Sequence, residues 1–234
     1  KSFPPNDDNI MRQAPEVVFQ DIGDLYVIES DHVTRGRFLG KGSFGAVFSG
    51  NMTDKRTGKL VEIAMKMLQP IDPGPEASPS HCQQYQAEKQ RWDKEPMKNA
   101  CEAYLNARKE LTILLSLHHE NIVPLLGICL QPLCLILSLA PLGSLNDRLK
   151  EYRRAGARLQ PHTIQQIIIQ TASALGYLHS CRIIYRDLKS ENILVWRLPA
   201  PHSEETVPVD VKLADYGVSR AVLPSGAKGF AGTP

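Results

Sequence analysis

The sequence has little net charge and little cysteine for its length. Its 27 Lys and Arg against 25 Asp and Glu leave a formal charge of +2 without a dense basic run, so nucleic acid is not an expected partner. The five cysteines are an odd number, widely spaced and without CxxC pairs. This pattern argues against a zinc site or a disulfide framework and predicts free thiols in a reducing, cytoplasmic compartment.

A continuous hydrophobic run of membrane-spanning length is also missing. The uncharged stretch 122–145 comes nearest, but three prolines and two glycines interrupt it: Pro124, Pro132, Pro141, Gly127 and Gly143. A spanning helix is expected to run more continuously. The stretch therefore predicts two short buried strands joined by a turn, and no direct membrane span is expected.

What is present is the composition of a folded protein, 42% hydrophobic and 22% charged, in a chain long enough for one large domain or two lobes. β-Branched and apolar residues alternate with glycines over 34–68, which predicts three strands, and helical patterns follow over 100–117 and 161–180. The last helix is expected to be buried along one row of residues: Ile164, Ile168, Thr171, Leu175 and Leu178. Strands first and then mostly helices predict an α+β fold with a β-rich first lobe and a helical second lobe.

Residues 40–47 read GKGSFGAV, which fits the pattern GxGxxGxV. Glycines let a backbone fold tightly over phosphates and present its N–H groups. The pattern alone also fits a dinucleotide fold or a plain glycine turn. A dinucleotide site would continue directly into a helix, whereas residues 46–48 continue as a strand, which favours a strand–turn–strand flap.

Lys66 lies in an apolar strand, on the same face as Ala64 and Leu68. A lysine in that position either reaches solvent or needs an anionic partner. Glu110 lies on the apolar stripe of the next long helix, at helical spacing with Ala107, Leu111 and Leu114. The pattern predicts that Lys66 and Glu110 pair and that Lys66 also holds the α- and β-phosphates of a nucleotide; two unrelated surface charges are the alternative.

Residues 185–192, YRDLKSEN, carry the strongest chemical signal. Phosphoryl transfer needs a carboxylate beside the attacking hydroxyl, a cation near the phosphate and oxygen ligands for magnesium. Asp187, Lys189 and Asn192 supply these groups, and Asp215 follows a strand as a second metal-binding carboxylate. Each of these short motifs is common by chance, and taken alone it is also explained by a turn with a solvent-exposed Asp. Their order after the glycine loop and the lysine–glutamate pair predicts convergence around one magnesium-bound triphosphate.

In this order the motifs resemble the eukaryotic protein kinase family over residues 34–234. The resemblance implies transfer of the ATP γ-phosphate to a protein substrate with Mg²⁺. It implies Asp187 as catalytic base, catalytic roles for Lys189, Lys66 and Glu110, and metal ligation by Asn192 and Asp215. It also implies a set of nucleotide contacts: Leu39, Gly40, Gly42, Gly45, Val47, Ala64, Lys66, Leu137, Ser138, Ala140 and Leu194.

Within that set, Leu137 would be the gatekeeper, residues 138–140 the hinge beside adenine, and three residues would enclose the ring: Val47, Ala64 and Leu194. Four further side chains would stack as a regulatory spine: Leu114, Leu125, Tyr185 and Tyr216. The Tyr216 hydroxyl, if buried, needs a hydrogen-bond partner and should bias the Asp215 turn. Arg186 is expected to bind a phosphate on the activation segment, carried by Ser219 or Ser225.

Two departures narrow the family, since Tyr185 stands where His is usual and Tyr216 where Phe is usual. Together with the stretches 117–119, 139–145 and 184–189, they make the chain similar to the leucine-rich-repeat (Roco) kinases. This resemblance implies Roc GTPase-like and COR modules upstream in the full-length chain. Lys189 and the closing Gly-Thr-Pro resemble serine/threonine rather than tyrosine kinases.

The predicted organisation is a lead-in over 1–33, a small lobe over 34–139 with an insertion at about 69–99, and a partial large lobe over 140–234. The insertion and a second one over 197–209 are expected to be surface loops. Because the chain stops inside the activation segment, a truncated fragment is expected, and its own activity is left open. Two alternatives are a pseudokinase scaffold, which usually lacks the lysine or one of the two aspartates present here, and a small-molecule kinase.

Overall fold

The computed structural model describes residues 18–23, 26–42, 45–54, 57–203, 205 and 207–222. The chain divides into two compact units. The first comprises the described residues up to Thr112 together with Leu125–Leu139, and the second comprises Ile113–Pro124 and the described residues from Ala140 onward.

The first unit is built on one antiparallel sheet. Its strands are β1 (Val33–Gly42), β2 (Gly45–Thr53), β3 (Leu60–Met67), β4 (Leu125–Leu130) and β5 (Leu133–Ser138). Their order in the sheet is β1-β2-β3-β5-β4, and a short 3-10 helix, Ser30–His32, precedes β1. The strands predicted over 34–68 and the two predicted within 122–145 are therefore present.

The two faces of this sheet carry different residues because side chains alternate along each strand. One face holds the core of the unit: Ile28, Phe48, Ile63, Met65, Met67, Cys129, Cys134 and Ile136. On the other face Val47 lies opposite Lys66 and Ala64 opposite Leu137. The register thus places Lys66 among small and apolar residues on the face that does not hold this core.

Two helices follow β3, namely α1 (Pro79–Lys94) and α2 (Pro96–Leu115). Ser78 caps α1 by accepting the His81 N–H, and Pro79 occupies the first turn, where its missing N–H is not needed. The expectation of a surface loop over 69–99 is wrong for α1. It failed because α1 contributes no buried residue and so leaves no apolar stripe in the sequence.

The described part of the predicted lead-in belongs to the first unit and packs within it. Phe19, Ile22 and Ile28 are buried. The Ile28 N–H donates to the Ile128 carbonyl, and the Ile128 N–H donates to the Tyr26 carbonyl, at 2.9 and 2.8 Å. This part of the chain therefore extends the sheet beside β4.

The second unit contains α3 (Leu145–Arg154), α4 (Pro161–Ser180) and four short strands. The strands β6 (Ile183–Ile184) and β9 (Arg220–Ala221) pair with each other, as do β7 (Ile193–Arg197) and β8 (Asp210–Leu213). A 3-10 turn, Ser190–Asn192, leads into β7. Ser144 and Asp147 form a reciprocal capping box at the start of α3. Sheet and helices together confirm the predicted α+β class.

The buried face of α4 differs from the predicted one. Of the predicted row, Leu178 is buried and Thr171 and Leu175 are half-buried, but Ile168 is 60% exposed and Ile164 is also exposed. The other buried residues of the helix are Thr163, Ile167 and Ala174. Isoleucines occupy three consecutive positions, 167–169. Because they point in different directions around the helix, apolar periodicity could not decide which face packs inward.

The second predicted insertion, 197–209, lacks regular structure in its described part between β7 and β8. The Tyr152 hydroxyl of α3 donates to the Pro199 carbonyl at 2.7 Å. A second contact lies between His202 Nε2 and the carbonyl of Ala155, the residue after α3, at 2.8 Å, so the segment is held to the end of α3 at more than one point.

Candidate active site

A buried ion pair joins β3 to α2 in the first unit. Lys66 Nζ lies 2.7 Å from both carboxylate oxygens of Glu110, and their side chains are only 3% and 2% exposed. Glu110 shares its helix face with three buried residues: Ala107, Leu111 and Leu114. The predicted pair is present, and the alternative of two unrelated surface charges is excluded.

Of the predicted adenine contacts in the first unit, Val47, Ala64 and Leu137 share the sheet face of Lys66, whereas Ser138 lies opposite the core residue Ile63. Ala64 and Leu137 are buried, and Val47 is half-buried. Ser138 is half-buried at the end of β5, while Leu39 on β1 is 41% exposed. This face therefore has the apolar character expected of a surface for a flat aromatic ring.

The glycines of the β1–β2 hairpin differ in what surrounds them. Gly42 and Gly45 lie opposite each other in the register. A Cβ added to Gly45 would lie 1.7 Å from the Met67 carbonyl oxygen, whereas one added to Gly40 would have nothing within 4 Å. Gly45 is thus required by the close approach of the end of β3.

In the second unit the Asp187 carboxylate is 5% exposed and held by two side chains. The Asn192 amide donates to Asp187 Oδ2 and to the Asp187 carbonyl, both at 2.9 Å. Lys189 Nζ also lies 2.9 Å from Asp187 Oδ2. The predicted base, cation and amide of the 185–192 loop are therefore brought together.

The β7–β8 pairing joins Asn192 to the residue that precedes Asp215. Ile193 lies opposite Leu213, and the Ala214 N–H donates to the Asn192 carbonyl at 2.9 Å. Since the Asn192 amide nitrogen is turned to Asp187, its oxygen is the atom that can bind a cation. Amide and carboxylate oxygens are the hard donors that Mg²⁺ prefers, so the chemistry of these two residues fits a divalent metal site.

Tyr185 and Tyr216 pack edge to face, with ring centroids 5.5 Å apart. The Tyr185 hydroxyl donates to the Ala214 carbonyl, and the Tyr216 hydroxyl donates to the Leu213 carbonyl at 3.2 Å. Burial raises the pKa of Tyr185, and the nearby Tyr216 and Asp215 add to the shift, so its hydroxyl stays a donor. The partner predicted for the Tyr216 hydroxyl is present, while a spine that includes Leu114 and Leu125 stays a prediction.

The chain after Asp215 is attached to the 185–192 loop. The Arg186 guanidinium donates to the Val218 carbonyl, and Ser219 Oγ donates to the Tyr185 carbonyl at 3.0 Å. Ser219 is fully buried, so the hypothesis that it accepts a phosphate is wrong for this conformation. Ser225 lies outside the described residues.

The two remaining predicted nucleotide contacts belong to the second unit. Ala140 is almost fully buried, and Leu194 on β7 is half-buried. Leu194 forms an isolated antiparallel bridge with Ser144 at the start of α3. Its position is therefore fixed by backbone contacts on two sides.

The sequence profile of the protein kinase domain matches residues 33–234. The chain belongs to the protein kinase domain family. A kinase domain implies ATP and a divalent metal ion, which agrees with the oxygen donors of Asn192 and Asp215. Within the described ranges, no helix combines the length and apolar character needed to cross a bilayer.

Among curated proteins, the kinase domain is 49% identical to "Leucine-rich repeat serine/threonine-protein kinase 1" of Caenorhabditis elegans over 94% of this chain and 9% of that protein. It is 44% identical to the protein of the same name in Mus musculus over 58% of this chain and 7% of that protein. It is 32% identical to "Probable serine/threonine-protein kinase roco5" of Dictyostelium discoideum over 91% of this chain and 6% of that protein. The predicted resemblance to Roco kinases is confirmed, and the chain spans less than a tenth of these relatives.

A polar network that sequence reasoning missed fixes β8, the strand that ends just before Asp215 of the kinase domain. The Gln170 side chain of α4 accepts the Val211 N–H at 2.9 Å and donates to the Val209 carbonyl at 2.8 Å. The buried Asn121 amide donates to the Val211 carbonyl at 3.0 Å. The sequence feature that could have indicated this network is Gln170, a polar residue directly after three isoleucines of an apolar helix.

Proposed function

We propose that this kinase domain transfers the γ-phosphate of ATP to serine or threonine hydroxyls of protein substrates, with Mg²⁺ as the metal. The observation that carries the proposal is the arrangement around Asp187. Its carboxylate is buried, accepts a hydrogen bond from the Asn192 amide and lies 2.9 Å from the Lys189 ammonium. A carboxylate fixed in one orientation beside a cation is what transfer to a hydroxyl requires.

In this proposal Asp187 accepts the proton of the attacking hydroxyl. The hydroxyl oxygen forms a bond to the γ-phosphorus, the bond from that phosphorus to the β–γ bridging oxygen breaks, and ADP leaves with the electron pair. Lys189 lies close enough to Asp187 to stabilise the negative charge of the transferring group. Lys66, oriented by Glu110, binds the α- and β-phosphates.

The Asn192 amide oxygen and the Asp215 carboxylate would hold the metal. When bound, Mg²⁺ would neutralise charge on the phosphate oxygens. The contribution of this chain is to fix both ligands through the β7–β8 register and the Ala214-to-Asn192 hydrogen bond.

Adenine would lie against the apolar face that carries Val47, Ala64 and Leu137, with Leu39, Ser138, Ala140 and Leu194 as further contacts. The glycines at positions 40, 42 and 45 would let the hairpin backbone approach the phosphates. Apolar enclosure with a few polar groups is the usual composition of a nucleotide pocket.

Serine/threonine specificity is supported by Lys189 and by the similarity to proteins named as serine/threonine kinases. For the whole protein we propose a cytoplasmic location and Roc and COR modules upstream, by similarity to Roco kinases. The proposed organisation remains a small lobe over 34–139 and the start of a large lobe over 140–234.

The test uses the full-length protein with radiolabelled ATP and peptide libraries carrying Ser, Thr or Tyr acceptors. We expect Mg²⁺-dependent labelling of Ser and Thr peptides, its loss in Asp187→Asn and Lys66→Met, and its retention in the surface variant Lys98→Gln. Chelation should stop transfer, and added Mg²⁺ should restore it. ATP binding by the wild type without transfer to any peptide would contradict the proposal and indicate a pseudokinase.

A further inference from the structure

The insertion helix α1 contacts the glycine-rich hairpin of the first unit. Lys41 of β1 forms an ion pair with Glu88 of α1. The Phe38 ring of β1 meets the His81 ring of α1 edge to face, with centroids 5.1 Å apart. Helix α1 therefore touches the hairpin at two points along β1.

These contacts lie on the sheet face opposite to Lys66. Lys41 pairs with Ala46 and Phe38 with Phe48, and both Ala46 and Phe38 pack against the core that includes Phe48. The Lys41 side chain thus lies on the face of the hairpin opposite to the one that carries Lys66. An interaction there can hold the hairpin without occupying the face assigned to the nucleotide.

Helix α1 presents a single stripe to this region. Four of its half-buried residues recur at helical spacing, namely His81, Tyr85, Glu88 and Trp92, and Cys82 lies beside the first of them. The stripe borders a cavity of about 210 Å³ whose other walls are the hairpin, the segment after β3 and the first half of α2. Because no α1 residue is buried and a cavity separates the helix from these walls, side-chain contacts such as Lys41–Glu88 connect α1 to the hairpin.

We propose that Glu88 is a positioning residue for nucleotide binding, acting through Lys41 on the glycine-rich hairpin. The Asn99 amide of α2 donates to the Arg91 carbonyl of α1 at 3.1 Å, so α1 serves as a brace between the hairpin and α2, the helix that carries Glu110. The inference deepens the proposed kinase function and rests on it, since its consequence is a change in ATP affinity. A partly exposed ion pair is worth up to about 1 kcal/mol, so the expected effect is modest.

The test measures the Kd of a fluorescent ATP analogue and the KM for ATP in the full-length protein. Glu88→Gln is expected to raise both by about twofold to fivefold while leaving kcat unchanged. The charge exchange Lys41→Glu with Glu88→Lys should restore wild-type affinity. The matched control is Asp93→Asn, which breaks the exposed Lys89–Asp93 pair of the same helix and should change neither value.

Hydrogen exchange without nucleotide provides a second readout. Glu88→Gln should speed exchange of the described hairpin amides at 38–42 and 45–47, and Asp93→Asn should not. Unchanged ATP affinity in Glu88→Gln, an equal change in Asp93→Asn, or no restoration by the charge exchange would overturn the proposal. If the wild type binds no ATP, the proposed function fails, and the inference about ATP affinity fails with it, whereas hydrogen exchange still reports whether Glu88 holds the hairpin.

Discussion

The Lys66 ammonium contacts both oxygens of the Glu110 carboxylate at 2.7 Å across 44 positions of sequence. Both side chains are almost fully removed from solvent. A buried charge whose partner is removed is strongly destabilising because its desolvation is no longer compensated. The pair therefore links β3 and α2 energetically as well as geometrically.

Glu110→Gln is expected to lower the free energy of unfolding by about 3 kcal/mol, because it removes a buried negative charge that lies 2.7 Å from the Lys66 ammonium. Urea denaturation measures the change. The control is Glu95→Gln, which breaks the exposed Glu95–Lys98 pair and should cost less than about 1 kcal/mol. Equal losses in the two variants would show that burial of the pair is not what matters.

Gly45→Ala is expected to destabilise the first unit by about 1–3 kcal/mol, because the added methyl group would meet the Met67 carbonyl at 1.7 Å. Gly40→Ala, which has open space around the added methyl, should leave the melting temperature nearly unchanged. Thermal unfolding of both variants checks this. A similar melting temperature for the two would mean that the end of β3 yields to the methyl group.

The sequence predicted the inward face of a helix only where its apolar residues lie on one side. On α2, a glutamate among apolar residues at helical spacing identified the inward face, and the Lys66 partner followed. On α4, isoleucines on several sides left the inward face undecided, and Ile168 turned out exposed. The candidate site was predicted better than the packing around it, because its polar residues stand in apolar or glycine-rich surroundings.

Helix α1 and the lead-in illustrate what local pattern cannot supply. The α1 stripe consists of polar and aromatic residues that are only half-buried, so it carries no apolar periodicity. The lead-in is held by Phe19, Ile22 and Ile28 and by an ion pair between Asp21 and Arg108, 87 positions apart. Contacts between residues so distant in sequence depend on the tertiary fold. The sequence around Asp21 or around Arg108 does not indicate that the two residues pair.

Asp21→Asn is expected to make the free energy of unfolding fall less steeply as the pH is lowered. The hydrogen bonds from the Arg108 guanidinium lower the pKa of the Asp21 carboxyl below its ordinary value of 3.8. A carboxyl with a lower pKa in the folded state stabilises it above the unfolded pKa, and that stability is lost as pH falls through the folded pKa. Urea denaturation between pH 6 and 3 should show a shallower decline for the variant.

Arg108→Gln should reproduce this shallower decline, because it removes the same ion pair from the other side. The double variant should add little to either single change. Fully additive effects would mean that Asp21 and Arg108 act separately, and the pH dependence would then need another source.

Tyr185→Phe is expected to cost more stability than Tyr216→Phe, although both remove a buried hydroxyl. The Leu213 carbonyl that accepts the Tyr216 hydroxyl also accepts the Val123 N–H at 2.9 Å, so it keeps a partner after the substitution. We expect about 0.5 kcal/mol for Tyr216→Phe and about 1.5 kcal/mol for Tyr185→Phe, measured by urea denaturation.

Tyr216→Phe should also change the affinity for ATP with Mg²⁺. The hydrogen bond from the Tyr216 hydroxyl to the Leu213 carbonyl holds Tyr216 in place beside Asp215, and the variant lacks it. An unchanged Kd would show that the aromatic ring alone sets the Asp215 turn.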